Sequence, residues 1–200
     1  MLIKICGLTR VEDVRVACEA GADAVGFVFH EASPRFVTVE HVRPLLEAVP
    51  ANVLKVAVYK HYAAMDAIEI ARLGFDAVQA FTYEALLPEG AFALPATRDD
   101  MVVRAPPGAL TPEGFKGCLL VEGASSGEGV EADWHEVQEI AEHVPVILAG
   151  GLNPGNVAEA IAEVRPRGVD VSSGVESTRG VKDPTLIRAF IGAVRATEGA

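Results

Sequence analysis

Val146-Ile147-Leu148-Ala149-Gly150-Gly151-Leu152-Asn153-Pro154 and, beyond a helix-like stretch, Val169-Asp170-Val171-Ser172-Ser173-Gly174-Val175-Glu176 together decide the fold. The first segment is an apolar run ending in a glycine pair, the pattern of a buried strand whose last turn lets another group approach the backbone. Asn153 and Pro154 then read as a helix start, with Asn as cap and Pro at the first helical position. The second segment passes from strand-like residues into the small turn Ser173-Gly174. Two neighbouring loops with free N–H groups, one opening onto a helix N-terminus, form a site for a phosphate. In a (β/α)8 barrel that site lies after strands 7 and 8. Glycine pairs also occur in ordinary strand-to-helix turns, so the weight rests on two such loops in succession.

The bulk properties agree with one barrel domain spanning residues 1–200. Half of the 200 residues are hydrophobic and 22% are charged, enough for a full core, although a barrel typically needs about 250 residues. The net charge of −11 and the lack of a basic run exclude a nucleic-acid partner. An anionic ligand must then be held by local donors. No apolar run is long enough to span a membrane or to act as a signal peptide. The three cysteines are far apart and odd in number, which points to reduced thiols in a cytoplasmic protein.

Leu2 to Cys6 reads as the first strand, with Ile3 and Ile5 on one face and Leu2, Lys4 and Cys6 on the other. Gly7 ends it. Thr9-Arg10-Val11-Glu12 fits a capping box, and Val11, Val14, Cys18 and Gly21 follow at helical spacing. Cys6 thus stands at the C-terminal end of a strand, where barrel enzymes carry catalytic groups. Cys18 reads as a small core residue. The pattern Gly-x-Asp recurs at Gly21-Ala22-Asp23, Gly74-Phe75-Asp76 and Gly168-Val169-Asp170, and its glycine fits a helix C-cap leading into a strand. A unit of about 25 residues fits eight times into this length. Asp23 and Asp76 read as turn residues at the bottom of the barrel.

Further strands are expected at Val25–Phe29, Val53–Tyr59, Phe75–Gln79 and Cys118–Glu122. Only one of Ala91–Leu94 and Met101–Arg104 can be the fifth, in a proline-rich region (84–117) that predicts an abbreviated helical unit. Arg35 closes the loop after strand two and is a candidate partner for a substrate carboxylate, the alternative being a solvated arginine near a helix start. Glu122 ends strand six, and Gly123–Gly129 has the composition of an active-site loop. Helices are expected from Tyr62 to Leu73, from a capping box at Asp133-Trp134-His135-Glu136, and from Thr185 to Val194. The five histidines are scattered without metal-ligand spacing, and no dinucleotide fingerprint or P-loop is present, so neither metal nor nucleotide cofactor is expected. A strand-1 thiol facing a strand-6 carboxyl group across a phosphate-binding barrel mouth suits proton transfer on a sugar phosphate.

Lys4-Ile5-Cys6-Gly7-Leu8-Thr9, Gly26-Phe27-Val28-Phe29 with Ser33-Pro34-Arg35, the Leu148–Val157 segment and Val169–Glu176 together resemble phosphoribosylanthranilate isomerase. The resemblance implies a barrel without metal or organic cofactor that performs an Amadori rearrangement in tryptophan biosynthesis. It implies Cys6 as general base, with Lys4 lowering its pKa. It also implies Arg35 on the anthranilate carboxylate, Asp170 near the anthranilate, and Gly150, Gly151, Ser173 and Gly174 on the phosphate. The family's acid is an aspartate ending strand six. This chain has Leu119-Leu120-Val121-Glu122 instead, which places the acid on Glu122, with Asp170 as second choice. Gln79 receives no role. The substrate implied is N-(5-phosphoribosyl)anthranilate, and the family occurs as monomers and homodimers. Competing readings are another sugar-phosphate barrel enzyme or a non-catalytic α/β binding protein of flavodoxin type, which needs about five βα units and no strand-end thiol.

Overall fold

A computed structural model describes residues 1–59, 72–80, 92–95, 119–121, 134–143 and 145–199. Eight strands lie in one parallel sheet: β1 (Leu2–Cys6), β2 (Ala24–Val28), β3 (Leu54–Val58), β4 (Ala77–Ala80), β5 (Phe92–Pro95), β6 (Leu119–Val121), β7 (Val146–Leu148) and β8 (Gly168–Val171). Their order is β5-β4-β3-β2-β1-β8-β7-β6, and β5 and β6 come into contact, so the sheet curls round into a (β/α)8 barrel. The described helices are α1 (Val11–Ala20), α2 (Val39–Glu47), α3 (Trp134–Ala141), α4 (Val157–Val164) and α5 (Pro184–Thr197). Phe92–Pro95 is therefore the fifth strand. The rival segment Met101–Arg104, the abbreviated unit, the capping residue Asp133, most of the helix expected from Tyr62, and Glu122 lie outside the described residues.

Period-two alternation sorts each strand between two cores. Ile3 and Ile5 of β1, Val169 and Val171 of β8, and Val25 and Phe27 of β2 join the layer between sheet and helices. Ala24, Val56, Ala77, Leu120 and Ile147 fill the barrel interior, packed with Leu2 and Val58. Lys4 and Cys6 share the parity of Leu2, and Asp170 that of Gly168. These polar groups therefore project into the barrel rather than toward the helices.

Two of the three Gly-x-Asp echoes have a common structural cause. Gly21 and Gly74 adopt φ of +101° and +83°, values open to glycine at a helix C-cap. Asp23 then accepts a hydrogen bond from Ile3 N (2.8 Å), and Asp76 one from Lys55 N (2.9 Å). Each carboxylate pins the start of the preceding strand, as expected for residues at the barrel bottom. The third echo is different. Arg165 takes the left-handed cap (φ 51°) after α4, while Gly168 lies inside β8, where a Cβ would stand 2.7 Å from Leu2 O. That glycine permits close strand approach rather than a cap.

Two expected helix starts move. Asn153 and Pro154 form a turn, and α4 begins at Val157 behind Asn156. Asn153 Oδ1 accepts from Gly155 N (2.8 Å) and Asn156 Oδ1 from Asn153 N (2.8 Å), so the side chains hold a turn in place of the first helical residues. At α1 the N-cap is Arg10, without a side-chain cap, rather than Thr9. Arg10 instead clasps the fully buried Asp13 through two bonds of 2.7 and 2.8 Å. Thr38, by contrast, caps α2 through His41 N, and α5 starts from Asp183 with Pro184 behind it.

Candidate active site

β1 delivers Lys4 and Cys6 to the C-terminal mouth of the barrel. Both fit because β2 carries Gly26 beside them, where a Cβ would stand 2.9 Å from Cys6 Sγ and 3.2 Å from Lys4 Nζ. Lys4 is fully buried and donates to Asp170 Oδ1 at 2.9 Å, with Asp170 only 7% exposed. Burial opposes the Lys4 charge, but Asp170 and Cys6 outweigh it and hold its pKa above the ordinary lysine value. The Cys6 thiol is pushed up, chiefly by burial and further by Asp170, while Lys4 and Lys182 pull it down. Lys4 thus acts in the expected direction, but desolvation wins in the free protein.

The stretch after β8 brings in groups that the sequence reading did not assign. Ser173–Val175 forms one 3-10 turn, followed by a hairpin of β9 (Glu176–Thr178) and β10 (Val181–Lys182). Glu176 receives Arg35 Nε at 2.6 Å and Arg35 Nη2 at 2.9 Å. It also takes Lys182 Nζ at 2.8 Å and Gly180 N at 2.9 Å. Lys182 further donates to Ser172 O (2.8 Å), and Ser172 Oγ donates to Cys6 O (3.1 Å). Arg35 is 5% exposed, with its aliphatic stem over Gly7, so it is not a solvated arginine.

Two buried cations share the Glu176 carboxylate, leaving a local positive charge in an acidic chain. Burial alone would raise the Glu176 pKa, but Arg35 and Lys182 hold it down at about 2. Lys182 is also lowered, because burial costs its ammonium more than the shared carboxylate returns. The hairpin signal was present in the sequence as Arg179-Gly180 between extended residues, and Gly180 does adopt φ +87°.

The two small-residue loops meet as expected. Gly150 and Gly151 have φ of +83° and +64°, and a Cβ on Gly174 would lie 1.8 Å from Leu152 O. Only glycine allows these loops to touch. Asn153 and Asn156 both donate to Gly151 O, at 3.3 and 3.1 Å, which fixes the first loop. Among the described residues, the N–H groups of Gly151, Ser173 and Gly174 have no protein acceptor, and all three residues are half-buried. Such a concave group of donors suits a phosphate. Cys6, Asp170, Arg35 and both loops therefore converge on one end of the barrel.

A family model described as N-(5'phosphoribosyl)anthranilate (PRA) isomerase matches residues 3–193. The chain belongs to this family. The phosphoribosylanthranilate isomerase of Pseudomonas fluorescens (strain Pf0-1) is 42% identical over 199 residues, covering 96% of this chain and 97% of that protein. A crystal structure of a phosphoribosylanthranilate isomerase in complex with reduced 1-(o-carboxyphenylamino)-1-deoxyribulose 5-phosphate superposes with a TM-score of 0.77 at 29% identity, covering 98% of this chain and 100% of that one. Monomers generated from the dimeric phosphoribosylanthranilate isomerase of Thermotoga maritima give a TM-score of 0.80 at 29% identity, over 98% and 100% of the two chains. Membership in the isomerase family removes the flavodoxin-type alternative.

Proposed function

We propose that the chain catalyses the Amadori rearrangement of N-(5-phosphoribosyl)anthranilate to 1-(2-carboxyphenylamino)-1-deoxyribulose 5-phosphate, the third step of tryptophan synthesis from chorismate. The observation that carries this reading is the Cys6 thiol at the barrel mouth beside the Lys4–Asp170 pair, on the same barrel end as the two donor loops. Gly150, Gly151, Ser173 and Gly174 hold the phosphate. Arg35, oriented by Glu176, meets the anthranilate carboxylate, and Asp170 lies near the anthranilate ring.

The acid protonates the ring oxygen, the C1′–O bond breaks, and the nitrogen lone pair forms a protonated Schiff base. Cys6 as thiolate removes the C2′ proton, and those electrons run through C1′ to nitrogen. The resulting enol passes its hydroxyl proton on and C1′ gains one, giving the ketone. Glu122 is the proposed acid. Val121, the last described residue of β6, packs in the outer cluster and has no proton to donate, which leaves the carboxyl group next in sequence as the candidate. Asp170 is the weaker choice because it is already the partner of a buried ammonium.

Turnover of freshly generated phosphoribosylanthranilate, read as loss of anthranilate fluorescence, tests the activity; a folded protein without turnover overturns it. No described helix is long and apolar enough to cross a membrane, in keeping with a cytoplasmic single-domain enzyme. A homodimer, the state named for the Thermotoga maritima relative, is one assembly open to the chain beside the monomer, and the mass in sedimentation separates the two.

A further inference from the structure

Gln79 lies on β4 with the parity of the interior residue Ala77, is 6% exposed, and its buried Oε1 has no hydrogen-bond partner among the described residues. A buried acceptor left unmatched is costly, and native structures keep few of them. Its register neighbours are Val58 on β3 and Leu94 on β5, neither of which carries a side-chain donor. The Gln79 carbonyl is already used, accepting Tyr59 N at 2.8 Å beside the strand ladder. The strand therefore needs no amide here, and the side chain waits for something in the barrel.

We propose that Gln79 is a substrate-positioning residue whose Oε1 accepts the anilino N–H of phosphoribosylanthranilate; this rests on the isomerase reading above. In the strand order β4 stands opposite β8 across the barrel, so Gln79 faces the phosphate loops from the far side. A substrate anchored by its phosphate on the β7 and β8 loops reaches toward β4 with its C1′ end. The phosphate and carboxylate carry no hydrogen to donate at neutral pH; the anilino nitrogen and the ribose hydroxyls do, and of these only the nitrogen becomes charged on ring opening. On ring opening that nitrogen becomes a protonated Schiff base, and a hydrogen bond from a charged donor is stronger than one from a neutral amine. Gln79 thus binds the intermediate more tightly than the substrate, and its effect falls on kcat.

Gln79→Met keeps the volume and removes both polar groups. The expected result is a fall in kcat of about 10- to 100-fold with KM changed far less. Thermal stability stays level or rises, because an unmatched buried carbonyl is removed. A merely structural glutamine would show the reverse, a lower Tm with kcat intact. Gln79→Glu, which keeps an acceptor oxygen in place, is expected to retain more kcat than Gln79→Met. If the Met variant lacks a native melting transition, Gln79→Ala gives the same comparison. Wild-type turnover with a Gln79→Met kcat within about twofold of it overturns the role of Gln79 alone. A folded wild type without turnover overturns the isomerase reading and this role together.

Discussion

Cys6 combines two demands that pull against each other. As the proposed base it must ionise, yet burial holds its thiol above the ordinary range, with only Lys4 and Lys182 opposing. We expect kcat/KM to rise with pH through the alkaline range as the thiol ionises. Lys4→Met, which removes an opposing cation, should move that limb to higher pH. A limb unmoved by the substitution would detach Lys4 from the base. Gly174 is the second residue on which the site depends. Gly174→Ala would drive a methyl into the Leu152 carbonyl, so the two donor loops must part. A rise in KM of about tenfold or more is expected, with stability down by about 1–3 kcal/mol. Steady-state kinetics and urea unfolding read both effects, and a wild-type KM would show that the loops do not hold the phosphate.

At the level of elements, the β9–β10 hairpin ties three loops together. Glu176 binds Arg35 from the loop after β2, and Lys182 binds the Ser172 carbonyl at the end of β8. Replacing Glu176 by Gln leaves two buried cations without their carboxylate, which costs about 3–5 kcal/mol when a buried pair loses one member. The same carboxylate gives the protein an acid limit. Its folded pKa of about 2 lies below the ordinary 4.5, so its contribution is fully present above pH 4.5 and is lost as pH falls from there toward 2. Urea unfolding across that window should show a component of about 2–3 kcal/mol that Glu176→Gln lacks. An identical pH slope in the variant would contradict the pairing. None of this network was assigned from the sequence, since Arg35 and Glu176 stand 141 residues apart and Lys4 and Asp170 stand 166 apart. Periodicity carries no information about which distant side chains meet.

Over the whole molecule, what was legible follows from local physics. Alternation in β1 put Cys6 on one face with Lys4, and the two glycine-rich loops marked the donor cluster, because strand period and glycine turns are short-range properties. Helix starts at Thr9 and Asn153 were misplaced because competing local side-chain contacts, the Arg10–Asp13 clasp and the Asn153–Asn156 turn, displaced the capping pattern. Gln79 was visible as a residue but not as an orphan acceptor, which only packing reveals. The barrel brings the strand-1 thiol and the donor loops after strands 7 and 8 together, and that convergence is the central claim. Its most direct test is turnover of freshly generated phosphoribosylanthranilate by wild type and Cys6→Ala side by side. Rapid loss of anthranilate fluorescence with wild type and almost none with a folded Cys6→Ala is predicted. Equal rates would remove Cys6 from the mechanism, and a folded but inactive wild type would contradict the assignment itself.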